Sequence, residues 1–313
     1  MLLTLKDRYM KKALFIFGIS LLVICGCTRV AQEKKEGGND GFTFAFLTDI
    51  HLQPERGAVE GYRKAIDTIN ILNPDFVLTG GDLVMDALNQ TYGRSDSLYR
   101  LYEKETGRFH MPVYNTVGNH EVYGWQRKEA GLEESPEFGK KMYENRIGKR
   151  YYSFDHKGWH FMVLDAVYRS EGGDYIGKID DAQIEWIKED LQKTGKETPI
   201  TVSVHIPFVT SQTQLTRGAL VPNPPYLIIN NAREVLLNFW GYNLKLVLQG
   251  HLHYLEDINV NNQVHFITGG AVCGQWWGNK PDSTPEEGFL LVHVNGEKFE
   301  WEYVDYGWVP PGQ

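Results

Sequence analysis

Thr43-Phe44-Ala45-Phe46-Leu47-Thr48 runs straight into Asp49-Ile50-His51, and Phe76-Val77-Leu78-Thr79 runs into Gly80-Gly81-Asp82. Each phrase opens as an apolar run of strand length and closes on polar residues. Between them, Val59, Tyr62, Ala65, Ile66, Ile69 and Leu72 recur at the 3.6-residue period of a helix, and Asn73-Pro74 stops it. Strand, helix and strand at this spacing predict a crossover unit of a parallel layer.

The same phrasing returns three times. Val113 to Val117 leads into Gly118-Asn119-His120-Glu121. Ile200 to Val204 leads into His205-Ile206-Pro207. Leu244 to Leu248 leads to Gly250-His251-Leu252-His253. Strands that end in Asp, Asn and His aim oxygen and nitrogen donors at one edge of a sheet. Seven such donors are more than one ion needs, and they suit two ions sharing a carboxylate. A two-ion site without thiolates points to hydrolysis of a phosphate ester.

Further out, Asp96 to Thr106 and Asp180 to Lys193 read as helices, the latter capped by Asp180 or Asp181. A third helix is expected near Ile229 to Phe239. Tyr151–Asp155 and His160–Asp165 read as strands around Lys157-Gly158. Asp257–Val260 and Val264–Thr268 form a hairpin around Asn261-Asn262. Leu290–Val294 and Lys298–Val304 form another around Asn295-Gly296, the strongest short turn signal in the chain. Crossovers early and hairpins late predict two sheets packed as a sandwich with helices outside.

The chain has 313 residues and a formal net charge of −8. That length supports one large α/β domain. The acidic balance argues against duplex nucleic acid as a partner, since duplex binding leans on Lys and Arg. Lys11-Lys12, the apolar stretch Ala13 to Ile24 and the ending Ile24-Cys25-Gly26-Cys27 read as a secretory signal. That ending resembles a bacterial lipobox, with Cys27 as the acylated residue. The expected organisation is a lipoprotein signal peptide over 1–27, a flexible polar tether over 28–41 and one domain over 42–313. It places the protein outside the cytoplasm, in a bacterial periplasm or on the cell surface, held to the membrane by its N-terminal lipid. Cys273 reads as a small core residue.

The order D-x-H, G-D, G-N-H-E, H, G-H-x-H resembles the calcineurin-like metallophosphoesterase superfamily over most of residues 42–270. The resemblance implies a four-layer αββα sandwich with a dinuclear site at the strand ends. It implies that Asp49, His51, Asp82 and His253 hold one divalent ion. Asp82, Asn119, His205 and His251 would hold the other, with Asp82 bridging and Mn, Fe, Zn or Co as the metals. A hydroxide between the ions would attack a phosphomono- or phosphodiester. His120 would face the substrate as acid or charge stabiliser, and Glu121 would orient His120 or a ligand. Gly80, Gly81, Gly118 and Gly250 would permit tight turns near the ions.

Two departures set the chain apart from purple acid phosphatases. Met85 stands where they carry a tyrosine, and His51 is present where they usually lack a histidine, so a tyrosinate–iron site is not expected. Asp49-Ile50-His51 through Gly81-Asp82-Leu83-Val84 is similar to cyclic-nucleotide phosphodiesterases of the superfamily. Tyr123, Trp125, Trp276 and Trp277 fall in expected loops, and Tyr123 and Trp276, with Asn119 and His120, are the expected substrate contacts. The competing class is a non-catalytic, metal-containing lipoprotein that binds a phosphorylated ligand. His110, His156, His160, His265 and His293 read as structural or surface residues.

Overall fold

A computed structural model of the chain describes residues 41–278 and 287–309. The signal segment with Cys27, and the tether as far as residue 40, lie outside the described residues.

The alternation along Phe42 to Leu47 explains the architecture. Phe42, Phe44 and Phe46 point to one face of that strand, β1 (Phe42–Leu47), and Ala45 and Leu47 to the other. Helix α1 (Ala58–Leu72) follows, then β2 (Phe76–Thr79), α2 (Tyr92–Thr106) and β3 (Val113–Tyr114). Strands β1, β2 and β3 are parallel neighbours. The chain ends with β12 (Gly288–Asn295) and β13 (Lys298–Asp305), which add antiparallel to β1 and complete a five-stranded sheet in the order β13-β12-β1-β2-β3.

The second sheet is built from β4 (Tyr152–His156), β5 (Trp159–Leu164), β8 (Ile200–Val204), β9 (Leu244–Gln249), β10 (Glu256–Val260) and β11 (Val264–Thr268). Its order is β10-β11-β9-β8-β5-β4, with parallel pairs at its centre and antiparallel edges. Helices α3 (Lys141–Arg146), α4 (Asp181–Thr194), α5 (Gln212–Arg217) and α6 (Ala232–Asn238) and a small ribbon of β6 (Val167–Arg169) and β7 (Tyr175–Gly177) complete the domain.

Three cores make the layers. Phe44, Phe76, Phe161, Leu246, Leu248 and Leu290 fill the space between the sheets. There Phe44 and Phe76 stack at 5.1 Å, and Phe154 and Phe161 at 5.0 Å. The outer face of the first sheet is covered by α1 and α2 through Tyr62, Ile66, Ile69, Leu98 and Tyr102. The outer face of the second is covered through Ile184, Ile187, Leu191 and Val235 of α4 and α6. This is the expected αββα sandwich. Each of these large side chains adds about 1.5–3 kcal/mol by leaving water.

Several elements differ from the sequence reading. Only Val113 and Tyr114 pair with β2. Beyond them side chains replace the ladder: the Thr116 amide donates to Thr79 Oγ1, and the Tyr143 and Tyr152 hydroxyls donate to the Asn115 carbonyl. Helix α2 begins four residues earlier than expected because Thr91 caps it, accepting from the Arg94 amide. In the last hairpin Asn295 pairs with Lys298, so the loop is Gly296-Glu297 rather than Asn295-Gly296. Gly296 takes φ 61° in the first loop position, the type II′ arrangement. Asp180 caps α4 as expected, accepting from the Gln183 amide. Among the described residues no helix is long and apolar enough to cross a membrane.

Candidate metal centre

The strand ends converge as the sequence predicts. Past β1 and β2 the two loops stay paired: the Asp49 amide donates to the Gly81 carbonyl, His51 to Asp82, and Leu52 to Leu83. The Gly250 amide donates to the His205 carbonyl and ties β9 to β8. Asp49, His51, Asp82, His251 and His253 all take left-handed backbone conformations, with φ between 46° and 73°. Gly80, Gly118 and Gly250 do not, which corrects their expected role. They permit close approach instead: a Cβ on Gly118 would lie 2.2 Å from Asp82 Oδ1, and one on Gly250 2.0 Å from Thr48 Oγ1. The strain sits on the donors themselves, at about 1–3 kcal/mol each.

Their side chains form two overlapping sets. In one, His253 Nε2 lies 3.0 Å from His51 Nε2 and 3.3 Å from Asp49 Oδ1. In the other, His205 Nε2 lies 3.2 Å from His251 Nδ1 and 3.1 Å from Asn119 Oδ1. Asp82 Oδ2 belongs to both, 3.6 Å from His51 Nε2 and 3.1 Å from His205 Nε2. Two imidazole nitrogens at such a distance suit adjacent donors to one divalent ion, whose bonds to nitrogen are about 2.0–2.1 Å. Four nitrogens, two carboxylates and an amide oxygen form a mixed donor set that fits transition-metal cations.

The distal ring atoms are arranged to keep those donors bare. His205 Nδ1 donates to the Gly80 carbonyl at 2.7 Å, His251 Nε2 to Tyr226 at 3.0 Å and His253 Nδ1 to Gly274 at 3.0 Å. Each bond fixes the tautomer and turns the other nitrogen inward. His51 is the exception: its Nδ1 is buried and has no hydrogen-bond partner among the described residues. The Glu121 carboxylate turns to backbone amides, and the His120 ring to the Met85 carbonyl. The carboxylate accepts four amides, from Asp82, Leu83, Val84 and Gly118, and so staples the loop that carries Asp82 to the loop that carries Asn119. Burial and the neighbouring Asp82 charge push this carboxyl up, to about 8. We assign it as ionised, because a proton on either oxygen would displace one of the amide donors.

Charge is concentrated here. Burial works against ionising Asp49 and Asp82, yet the facing histidines hold both below the usual carboxylate range. Burial also works against a charged His205, but Asp82 overcomes it and pushes the ring up to about 9. Burial depresses His51 to about 4 and, with the His205 charge, His251 to about 3. Burial likewise opposes charge on His253, but Cys273 and Asp49 outweigh it and raise that ring too, so two raised and two depressed histidines face the two carboxylates.

His120 sits at the open side, its side chain 20% exposed. Its Nδ1 donates to the Met85 carbonyl at 2.5 Å, and its Nε2 lies 3.9 Å from Asp82 Oδ2. Met85, the residue in the place of the missing tyrosine, thus supports His120 through its backbone. Trp276 is partly exposed and lies over the centre, its ring 4.2 Å from that of His51, 4.7 Å from His253 and 5.5 Å from His120. Tyr123 does not join them. It is 3% exposed in the core beneath α2, its backbone bridged to Gly139, so the structure gives it to packing rather than to an open wall. Trp277 is buried as well, and Trp125 packs against the core of the second sheet. Tyr175, which the sequence reading missed, reaches the far side, its ring 6.1 Å from that of His251. Cys273 is buried beside His253 Nδ1 at 3.9 Å, with burial raising its thiol. His156, His160, His265 and His293 pair with carboxylates outside this cluster.

Known proteins resemble this chain in sequence or in fold. Purple acid phosphatase 23 of Arabidopsis thaliana is 26% identical over 240 residues, which are 69% of this chain and 47% of that protein. The chain thus spans about half the length of that relative. Among solved structures, a dimetal phosphatase from Danio rerio superposes with a TM-score of 0.60 at 15% identity, covering 85% of this chain and 96% of that one. The purple acid phosphatase PPD1 from Lupinus luteus seeds reaches 0.52 at 13% identity, covering 85% and 52%. The protein GAP50, described as the anchor in the inner membrane complex of Plasmodium, reaches 0.54 at 15% identity, covering 85% of each chain. These structural likenesses speak for the fold. The family model for calcineurin-like phosphoesterases matches residues 42–255, a span that contains all seven converging donors, and the chain belongs to that family.

Proposed function

We propose that the protein is a hydrolase of phosphomono- or phosphodiesters that works with two divalent ions. The observation that carries this reading is the pair of donor sets sharing Asp82 Oδ2. Asp49, His51, Asp82 and His253 would hold one ion, and Asp82, Asn119, His205 and His251 the other. Bound there, such ions supply Lewis acidity to the phosphoryl oxygens and acidify water.

The chain's own residues do the rest. Glu121 holds the loops of Asp82 and Asn119 at a fixed separation. His120 keeps its Nδ1 proton on the Met85 carbonyl and directs Nε2 toward the open side. In the hydrolysis a water oxygen forms a bond to phosphorus and the ester P–O bond breaks. A proton carried on His120 Nε2 passes to the departing oxygen, and one of the attacking water's two protons replaces it on that nitrogen while the other stays on the new P–OH. Trp276 and His120 are both partly exposed beside the donors, their rings 5.5 Å apart, which supports their role as substrate contacts.

The test is turnover of p-nitrophenyl phosphate and bis-p-nitrophenyl phosphate by metal-stripped and Mn²⁺-reloaded protein. Metal-dependent turnover of either is expected, and the preferred ester assigns a phosphatase or a phosphodiesterase. Two bound ions with silence on both substrates would favour a binding protein instead.

We further propose an extracytoplasmic location through a lipid on Cys27, on the strength of Lys11-Lys12, the apolar Ala13 to Ile24 and the Ile24-Cys25-Gly26-Cys27 ending. Radiolabelled fatty acid should label the protein in a bacterial host and fail to label a Cys27→Ala variant. Equal labelling of both would end that reading.

A further inference from the structure

His51 differs from the other three histidines of the cluster. His205, His251 and His253 each have a backbone carbonyl on the distal nitrogen, whereas His51 Nδ1 is buried with none among the described residues. Three rings surround the His51 imidazole, the Trp276 indole at 4.2 Å, the His120 imidazole, edge-on, at 4.6 Å and the His253 imidazole at 5.0 Å between ring centres.

The chain accepts strain to put the indole there. Trp276 and Trp277 are consecutive and both left-handed, with φ 56° and 59°. For large side chains that conformation is a true outlier. Several contacts hold it in place. Trp277 is 1% exposed, and its Nε1 donates to the carbonyls of Ile50 and His51 at 2.9 and 3.1 Å. Its ring also rests on Gly61 of α1, where a Cβ would lie 2.3 Å from it. Arg56 Nη1 donates to the Trp276 carbonyl at 3.1 Å. Trp277 thus locks the turn to the loop that carries His51. Among the described residues the aromatic neighbours of the Trp276 ring are His51, His253 and His120.

We infer that Trp276 is the positioning residue of His51: its indole takes the place of the missing hydrogen bond and holds the imidazole with Nε2 toward Asp82 and His253. The inference rests on the reading of His51 as a metal ligand. It is separate from turnover, because ligand orientation is registered in metal affinity before any substrate is present.

The test is calorimetric titration of the chelator-stripped full chain with Mn²⁺. Trp276→Gly is the informative variant, because it removes the indole and relieves the left-handed backbone, so the fold is not put at risk. One of the two binding events should weaken about 10- to 100-fold, the range seen when a ligand's supporting group is lost. Trp276→Phe, which keeps a ring, should restore most of it. In a His251→Ala background, where the Asp49–His51–Asp82–His253 set stays complete, the loss should persist. In a His253→Ala background it should vanish. Undiminished affinity in Trp276→Gly, or an equal loss in both backgrounds, would overturn the inference. A wild-type chain that binds fewer than two ions would remove the ligand reading and this inference together. Two ions without any turnover would sink the hydrolase reading and leave this one standing.

Discussion

The two ends of the sandwich use one backbone conformation for opposite purposes. At the end away from the donors, the three tight hairpins turn through left-handed residues: Lys157-Gly158, Asn261-Asn262 and Gly296. These are glycine, asparagine or water-facing residues, for which the conformation costs little. At the other end the same conformation is imposed on Asp49, His51, Asp82, His251 and His253, with their side chains turned into a buried cluster. Strain and buried charge coincide there. The far end is built for stability, and the near end gives up stability to hold charged donors together.

That contrast is broken most strongly by removing the shared oxygen donor. Asp82→Asn should lower kcat/KM on the order of 10³-fold and reduce the bound metal below two per chain, read by elemental analysis. A variant with full metal and full activity would remove Asp82 from the centre. His120→Ala comes next. It should keep both metals yet lose roughly 10²-fold in kcat on an alkyl ester, and less on p-nitrophenyl phosphate, whose leaving group needs no proton. Equal losses on both esters would assign His120 to charge stabilisation rather than proton transfer.

Metal removal separates the two ends by stability. At free metal one hundred times the dissociation constant, each ion adds about 2.7 kcal/mol, so chelation should lower the melting temperature by several degrees. Gly296→Ala should lower it too, through a loss of about 1 kcal/mol of stability. Its φ of 61° disfavours a side chain, although a Cβ there meets nothing within 4 Å. Its kcat/KM and metal content should not change. Altered turnover in Gly296→Ala would show that the two ends are coupled.

The smallest effect concerns His160 at the start of β5. Burial disfavours its charge, but the Asp190 and Asp155 carboxylates outweigh burial and raise it above its ordinary 6.5. A raised folded pKa means that the stabilisation is complete below that ordinary value and fades as pH climbs through the folded one. Because Asp155 is water-exposed, it is worth no more than about 1 kcal/mol. In the metal-loaded protein, His160→Gln should flatten the fall in melting temperature from neutral to alkaline pH. An unchanged slope would place that titration elsewhere.

Much of this was legible in the sequence for a physical reason. A strand followed by a tight polar cluster is a local signal, and each donor lies within a few residues of the strand that aims it. The layers follow as directly from the alternation of Phe42, Phe44 and Phe46 with Ala45 and Leu47. What stayed hidden depends on distant partners. The last hairpin shifts by one residue because β12 is a central strand, and Val294 must meet Phe42 on one side and Phe299 on the other. Tyr123 looks like a loop residue until Gly139 closes over its backbone. Helices α3 and α5 and the β6–β7 ribbon are too short to show a period. Glu121 reads as a partner for His120 or for a ligand, and which of the two it is stays hidden, because the four amides it accepts, that of Asp82 among them, come from loops brought together by the fold. The different duties of Trp276 and Trp277 are invisible in the dipeptide.

The most direct measurement is turnover as a function of bound Mn²⁺ per chain, with stripped protein reloaded in sub-stoichiometric steps. A centre built on the shared Asp82 oxygen should stay nearly silent through the first equivalent and gain its activity with the second, saturating at two. Full activity at one equivalent, or none at two on any phosphoester, would contradict a dinuclear hydrolase.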